Sequence, residues 1–491
     1  LTRNTEAYWA KLAAQVETEL LERVPENNVR PRLEPTRRAV ELLGDPQHSY
    51  RVIHVTGTNG KTSTTRFIER ILREHGLRTG RFTSPHLVKL NERIAIDGEP
   101  VSDQVLWELW EDTKPILEIV DAELAANGEG RLTFFEALAA LGFAIFADAP
   151  VDVLVLEVGM GGTWDSTNVA DGDVAVFTPI GLDHTDRLGE TISEIAETKA
   201  GIIKQDAIVV SALQHWDAQT VLSQVASDKA ESFNQLGTDF DITEATVDGF
   251  GQRFSIRGLA GEYSDLFLPL MGHHQVENAA VAIAAVEAFL GGGQNRIMDD
   301  VLRVALADVS SPGRLQVLSR QPLVLLDAAH NPHGAQVLAD ALLGAFAGQR
   351  FVGVIGVLGD KDAAGLLRKL EPVLEEVVIT RSSSDRALPV EELEDIAIEI
   401  FGEHRVRTAN QVGSALSDAR DMINEGIGDS IVVTGSVSLV GEVLKLQQVE
   451  DDLIAGTDED PDDDWSGEQD DEFGDNSGEG TTRDLDFEDG E

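Results

Sequence analysis

Val52-Ile53-His54-Val55 runs directly into Thr56-Gly57-Thr58-Asn59-Gly60-Lys61-Thr62-Ser63. The first four residues read as a strand. Gly57 and Gly60 permit a tight turn and close approach of the backbone to a ligand. Phe67, Ile68, Ile71 and Leu72 then recur at helical spacing as far as a stop at Gly76. A strand, a glycine turn, a lysine followed by hydroxyls and a helix N-terminus form a phosphate cradle. Its N–H groups and the helix dipole favour an anion, and Lys61 would neutralise it. A full Walker A spacing would need glycine where Val55 stands, so the loop is a variant of that pattern.

Outward from this loop, apolar runs alternate with helical periodicity. The runs are 151–156, Val174–Phe177, Leu323–Leu326, Phe351–Ile355, 377–379 and 431–433. This alternation predicts an α/β fold with buried parallel sheets, helices on both faces and ligands at the carboxyl ends of the strands. Asp248-Gly249 between alternating residues predicts a hairpin flanking the first sheet. An alanine-rich helix is expected over 276–290, stopped by Gly291-Gly292-Gly293, and a hinge at Ser310-Ser311-Pro312-Gly313.

The chain has 491 residues, enough for two domains, and 42 % hydrophobic residues, enough for real cores. Cysteine is absent, so a metal must sit on oxygen and nitrogen ligands. With 39 basic and 87 acidic residues the net charge is −48, which disfavours nucleic acid and anionic membranes as partners. The last 42 residues hold 20 acidic residues and the single basic Arg483. They read as a disordered acidic tail. No secretory signal or spanning segment is read, so a cytoplasmic location is expected.

Charged residues at strand ends mark the candidate site. Glu157 closes the run 151–156 and is either a solvent-exposed acid or a magnesium ligand beside the phosphate loop. Gly159-Met160-Gly161-Gly162 follows it. Thr191-Ile192-Ser193-Glu194 is a capping box. On the helix it starts, Lys199 shares a face with Ile192, Ile195 and Ile202. A lysine there must snorkel, meet an anion, lose its charge or be carbamylated. His184 follows the strand Val174–Phe177 and is either a surface residue or a nitrogen ligand. Asp327 and His330 follow the strand Leu323–Leu326. Arg314, just past the hinge, would reach a phosphate or form an interdomain ion pair.

Together these residues resemble the Mur ligase superfamily, most closely its folylpolyglutamate synthase/dihydrofolate synthase branch. The resemblance runs from about Arg37 to Glu442 and adds further ordered motifs. These are Leu42-Leu43-Gly44-Asp45-Pro46-Gln47, Ser84-Pro85-His86-Leu87 with Asn91-Glu92-Arg93, and Thr133-Phe134-Phe135-Glu136-Ala137. Gly272-His273-His274-Gln275 with Asn278, Pro312-Gly313-Arg314, Asp327-Ala328-Ala329-His330-Asn331-Pro332 and Thr434-Gly435-Ser436 complete them. It implies a lead-in over 1–36, a P-loop ATPase domain over 37–309, a smaller Rossmann-like domain over 310–449 and the tail over 450–491. ATP would lie between the domains, held by Gly57, Thr58, Asn59, Gly60, Lys61, Thr62 and Ser63. Asn278 would contact the adenine, Arg314 the phosphates and Asp327 the ribose or its neighbours.

Two Mg2+ ions are implied, one on Ser84 and Glu157, the other on His184 and carbamylated Lys199. A monovalent cation such as K+ is a further candidate. His330 and Ser436 would lie near the incoming L-glutamate. Pro85, His86, Arg93, Thr133 and Phe135 would line the folate or pteroate pocket. Lys61, His184, Lys199, Arg314 and His330 form the expected catalytic set, in a monomer. One departure stands out. The family commonly has Arg after the double glycine, whereas this chain has Thr163, which removes a cation near the site. The implied reaction is ATP-dependent ligation of glutamate to folates, and to dihydropteroate, through an acyl phosphate. The alternatives are a peptidoglycan ligase, which would need a separate UDP-binding domain before the loop, and a P-loop ATPase switch that is not a ligase.

Overall fold

The computed structural model describes residues 5–25 and 30–455. The last described element is the helix Val437–Ala455, and the rest of the expected acidic tail lies outside the described residues. The site described below lies within the compact unit Leu1–Leu446.

An eight-stranded sheet runs, edge to edge, through Glu99–Pro100, Ile94–Ile96, Thr79–Phe82, Val153–Glu157, Arg51–Thr56, Val174–Phe177, Ile208–Ser211 and Ser232–Gln235. The last six of these strands are parallel, and the first two are antiparallel additions. One face is covered by the helices Lys61–Glu74 and His273–Gly291. There Phe67, Ile68, Ile71 and Leu72 pack against Ile53, Val55, Val153 and Val155. The apolar helix Phe134–Asp148 covers the other, with Leu154 and Leu156 beneath it. Each such buried side chain contributes about 1.5–3 kcal/mol.

A second sheet has the order Gln316–Arg320, Leu323–Leu326, Ser430–Thr434, Phe351–Ile355, Leu374–Ile379, Val406–Thr408. It is parallel apart from its first edge strand. Asp241–Asp248, Gly251–Arg257 and Glu262–Leu268 form a separate three-stranded antiparallel sheet. Its expected turn carries Gly249 at φ 63°. The hairpin tip, Phe250, lies under the Arg320 guanidinium at 4.6 Å, on the edge strand of the second sheet.

The helix expected over 276–290 begins earlier, at His273, because Gly272 at φ 91° turns the chain into it. The strand Val153–Glu157 begins later than expected, since Asp152 instead accepts a hydrogen bond from the Arg78 N–H at 2.8 Å. Thr79–Phe82, Ile208–Ser211 and Ser232–Gln235 were not read as strands. They are four residues each, and two of them carry a charged or amide side chain that breaks the apolar run. No described helix is long and apolar enough to cross a membrane.

Candidate active site

Parallel pairing sets Val55 opposite Glu157, so the phosphate loop and the acid leave the sheet at the same end. The loop is stapled to the neighbouring strand's exit. Thr58 N donates to Pro179 O at 2.9 Å and the Thr58 hydroxyl to Gly181 O at 3.0 Å. Gly57, at φ 150°, has no room for a side chain against Thr178, and a Cβ on Gly60 would lie 2.6 Å from the Asn278 amide oxygen. Asn278, the expected adenine contact, therefore sits directly on the loop. Lys61 curls back, donating to Gly57 O at 3.3 Å and Thr58 O at 3.2 Å.

Glu157 is 1 % exposed. Its Oε1 accepts from the Thr62 hydroxyl at 3.0 Å, while its Oε2 is buried with no hydrogen-bond partner. Burial pushes its pKa up, against the pull of Lys61, the Thr62 hydroxyl and Arg314. An unpartnered buried carboxylate oxygen beside a phosphate cradle fits a cation. Among the described residues no three His, Cys, Asp or Glu gather to hold a metal by themselves. Mg2+ does not require such a set, because phosphates and water supply most of its ligands.

Lys199 is 4 % exposed and donates to Gly57 O at 2.7 Å. Burial, reinforced by the charge of Lys61, lowers its pKa to about 7. The helix Ile192–Lys199 that carries it has the expected Thr191/Glu194 capping box. The glycine loop rests on the end of this helix. A Cβ on Gly162 would lie 2.7 Å from the carbonyl oxygens of both Thr198 and Lys199. Thr163 secures the contact without charge: its N–H and hydroxyl both donate to Thr198 O, at 2.8 and 3.0 Å. Asn168 adds bonds to Thr163 O and Gly201 O.

The second sheet contributes from the opposite side. Asp327 accepts from Leu315 N and Ala329 N, both at 2.9 Å, pinning the turn that presents Arg314. His330 Nδ1 lies 2.9 Å from Ala328 O, so its proton points there, and Nε2 lies 3.7 Å from Asp183 Oδ2. Lys361, 2.8 Å from Asp183 Oδ1, also approaches His184 Nε2 at 3.4 Å. Burial, and then the positive charge of Lys361, hold His184 down at about 4. His184 is therefore neutral at pH 7. Burial opposes ionisation of Asp183, but its contacts with His330 and the Lys361 charge hold its carboxyl well below the usual range.

One cavity of about 670 Å3 takes in the phosphate loop, Ser84, Pro85, His86, Arg93, Glu157, His184, Lys199, Asn278, Arg314, Asp327 and His330. That size suits a cofactor-scale ligand. Arg93 donates to His86 Nδ1 at 2.9 Å and lies over the Phe134 ring. Thr133 and Phe135 instead line a smaller adjoining cavity of about 80 Å3 with Arg32, Trp164 and Asp165, and Gly159 and Met160 border both. Ser436 is 1 % exposed, and its hydroxyl accepts from Leu439 N at 3.1 Å at the start of the last helix. It does not line the large cavity; Val437 and Ser438 do. The residue sequence reasoning missed is Lys361. The strand-end logic applied to Asp327 could have found it, since Asp360-Lys361-Asp362 follows Phe351–Ile355.

Comparison with known proteins agrees with this arrangement. Residues 104–286 match the Mur ligase middle domain and residues 313–437 the Mur ligase glutamate ligase domain. The dihydrofolate synthase/folylpolyglutamate synthase of Mycobacterium tuberculosis is 43 % identical over 453 residues, 88 % of this chain and 93 % of that protein. The folylpolyglutamate synthase of Lacticaseibacillus casei is 36 % identical, over 84 % of this chain and 95 % of that one. Crystal structures of the Mycobacterium tuberculosis folylpolyglutamate synthase complexed with ADP and AMPPCP match with a TM-score of 0.85 at 42 % identity, covering 89 % of this chain and 98 % of theirs. Sheet order, cavity and sequence converge: the chain belongs to the Mur ligase family, in its dihydrofolate synthase/folylpolyglutamate synthase branch.

Proposed function

We propose that this chain is an ATP-dependent ligase that joins L-glutamate to folates, and to dihydropteroate, through an acyl phosphate. The observation that carries the reading is the single cavity in which a phosphate loop on one sheet faces Arg314, His330 and Lys361 from the other half of the unit. A carboxylate is a poor electrophile in water. Transfer of the γ-phosphoryl group of ATP to it creates a leaving group. The glutamate amine then attacks the acyl carbon, and phosphate departs. Catalysis consists mainly of positioning and of neutralising the anions brought together.

In this reading residues 57–63 cradle the phosphates, Lys61 and Arg314 screen them, and Asn278 meets the adenine. Two Mg2+ ions would supply further charge neutralisation, one held by Ser84 and Glu157 with Thr62, the other by His184 and carbamylated Lys199. A monovalent cation such as K+ is part of the same reading. An amine with its pKa near 7 is substantially neutral at physiological pH, the form that reacts with carbon dioxide. His330 Nε2 faces the cavity as an acceptor for a proton from the glutamate ammonium. The smaller cavity at Thr133 and Phe135 adjoins the large one through the glycine loop, where the pterin end of the substrate would fit. The domain boundary falls near residue 310, and the enzyme works in the cytoplasm as a monomer.

The test is a ligation assay offering dihydropteroate and reduced folates separately with ATP, Mg2+ and L-glutamate, read by product mass. Products heavier by one glutamate, with phosphate release strictly dependent on both substrates, are expected. ATP hydrolysis that ignores both substrates and depends on another protein would overturn the ligase reading.

A further inference from the structure

We propose that Asn331 is a positioning residue that fixes the phosphate loop and the Asp183–Lys361 ion pair against each other, so that one amide sets the geometry of the nucleotide and amino-acid ends of the cavity. The proposal rests on the ligase reading for its kinetic consequence.

Asn331 precedes the helix Pro332–Ala345 and is 3 % exposed. Its Oδ1 caps that helix, accepting from Gly334 N at 2.7 Å. Asp or Ser would cap equally well. What the amide adds is its NH2 group, which donates to Asn59 Oδ1 at 3.3 Å and to Asp183 Oδ2 at 3.0 Å. Asn59 lies inside the phosphate loop and reaches back with its own Nδ2, to Asn331 Oδ1 at 3.4 Å and His333 Nδ1 at 2.6 Å. Asp183 holds Lys361 at 2.8 Å and faces His330 at 3.7 Å. The hydrogen-bonding capacity of the Asn331 amide is thus filled by a helix cap, a phosphate-loop side chain and a carboxylate. Carboxylate in its place would keep the cap and face Asp183 with like charge. Serine would keep the cap and lose at least one of the two donations.

The full chain is compared with Asn331→Asp and Asn331→Ser. Thermal melting, ADP affinity with Mg2+ by calorimetry, and kcat and KM for L-glutamate are measured. Asn331→Asp should melt below the parent and, at temperatures where it is folded, lose at least tenfold in ADP affinity and in kcat/KM for glutamate. Asn331→Ser should lose less, at least threefold in each, and it carries the comparison if the added charge unfolds the protein. Parent-like values in both single variants would overturn the proposal and leave Asn331 a helix cap. If the parent itself ligates no glutamate, the ligase reading fails while the ADP measurements still decide the role of Asn331.

Discussion

Lys199 shows how a single side chain changes its chemistry with its surroundings. On a helix surface it would be a cation at any physiological pH. Buried against Gly57 O and near Lys61, it loses its proton near pH 7. Below that pH the ammonium dominates and cannot react with carbon dioxide; above it the free amine can. After the enzyme is stripped of carbon dioxide, reactivation by bicarbonate should therefore grow as pH rises through about 7. Lys199→Ala should abolish turnover at every pH, with no rescue by bicarbonate, and full activity in that variant would remove the carbamate from the mechanism. Both are read by phosphate release under substrate saturation.

At the scale of elements, the glycine loop and the helix Ile192–Lys199 act as one unit. Gly162→Ala would place a Cβ against two main-chain carbonyls, neither of which can rotate aside. The expected cost is about 1–3 kcal/mol of stability. Displacing Lys199 by about 1 Å should add a loss of roughly 100-fold in turnover. Denaturation and steady-state kinetics separate the two effects, and a variant of unchanged kcat would break the link between loop and lysine.

Elements of this kind were legible wherever a local rule governs them. The phosphate loop, the capping box at Thr191 and Glu157 at its strand end each follow from a few neighbouring residues. Ser436 is expected near the incoming glutamate only through the family resemblance of Thr434-Gly435-Ser436, and its hydroxyl is occupied by the following helix. Lys361 follows the strand Phe351–Ile355 as Asp327 follows Leu323–Leu326, so the same strand-end rule reaches it. Its partner is what no local rule supplies, because Asp183 lies 178 residues away in sequence.

Across the whole molecule, that same pair joins the parts built on the two sheets. The side chains of Lys361 and Asp183 are 7 % and 11 % exposed. Removing one member of a buried pair strands the other, at about 3–5 kcal/mol. Lys361→Met should thus lower stability by that order, and adding Asp183→Asn should recover part of it, as measured by chemical denaturation. Equal stability of the parent and Lys361→Met would mean that the pair does not bind the two parts together.

The anchor at Thr163 has a bearing on the medium in which the molecule works. A chain of net charge −48 surrounds itself with counterions, and dissolved electrolyte weakens contacts between exposed opposite charges. A guanidinium at the end of the glycine loop would be open to that weakening. A hydroxyl and an amide on one carbonyl are not, so this stretch of the catalytic floor should hold its shape from dilute buffer to brine.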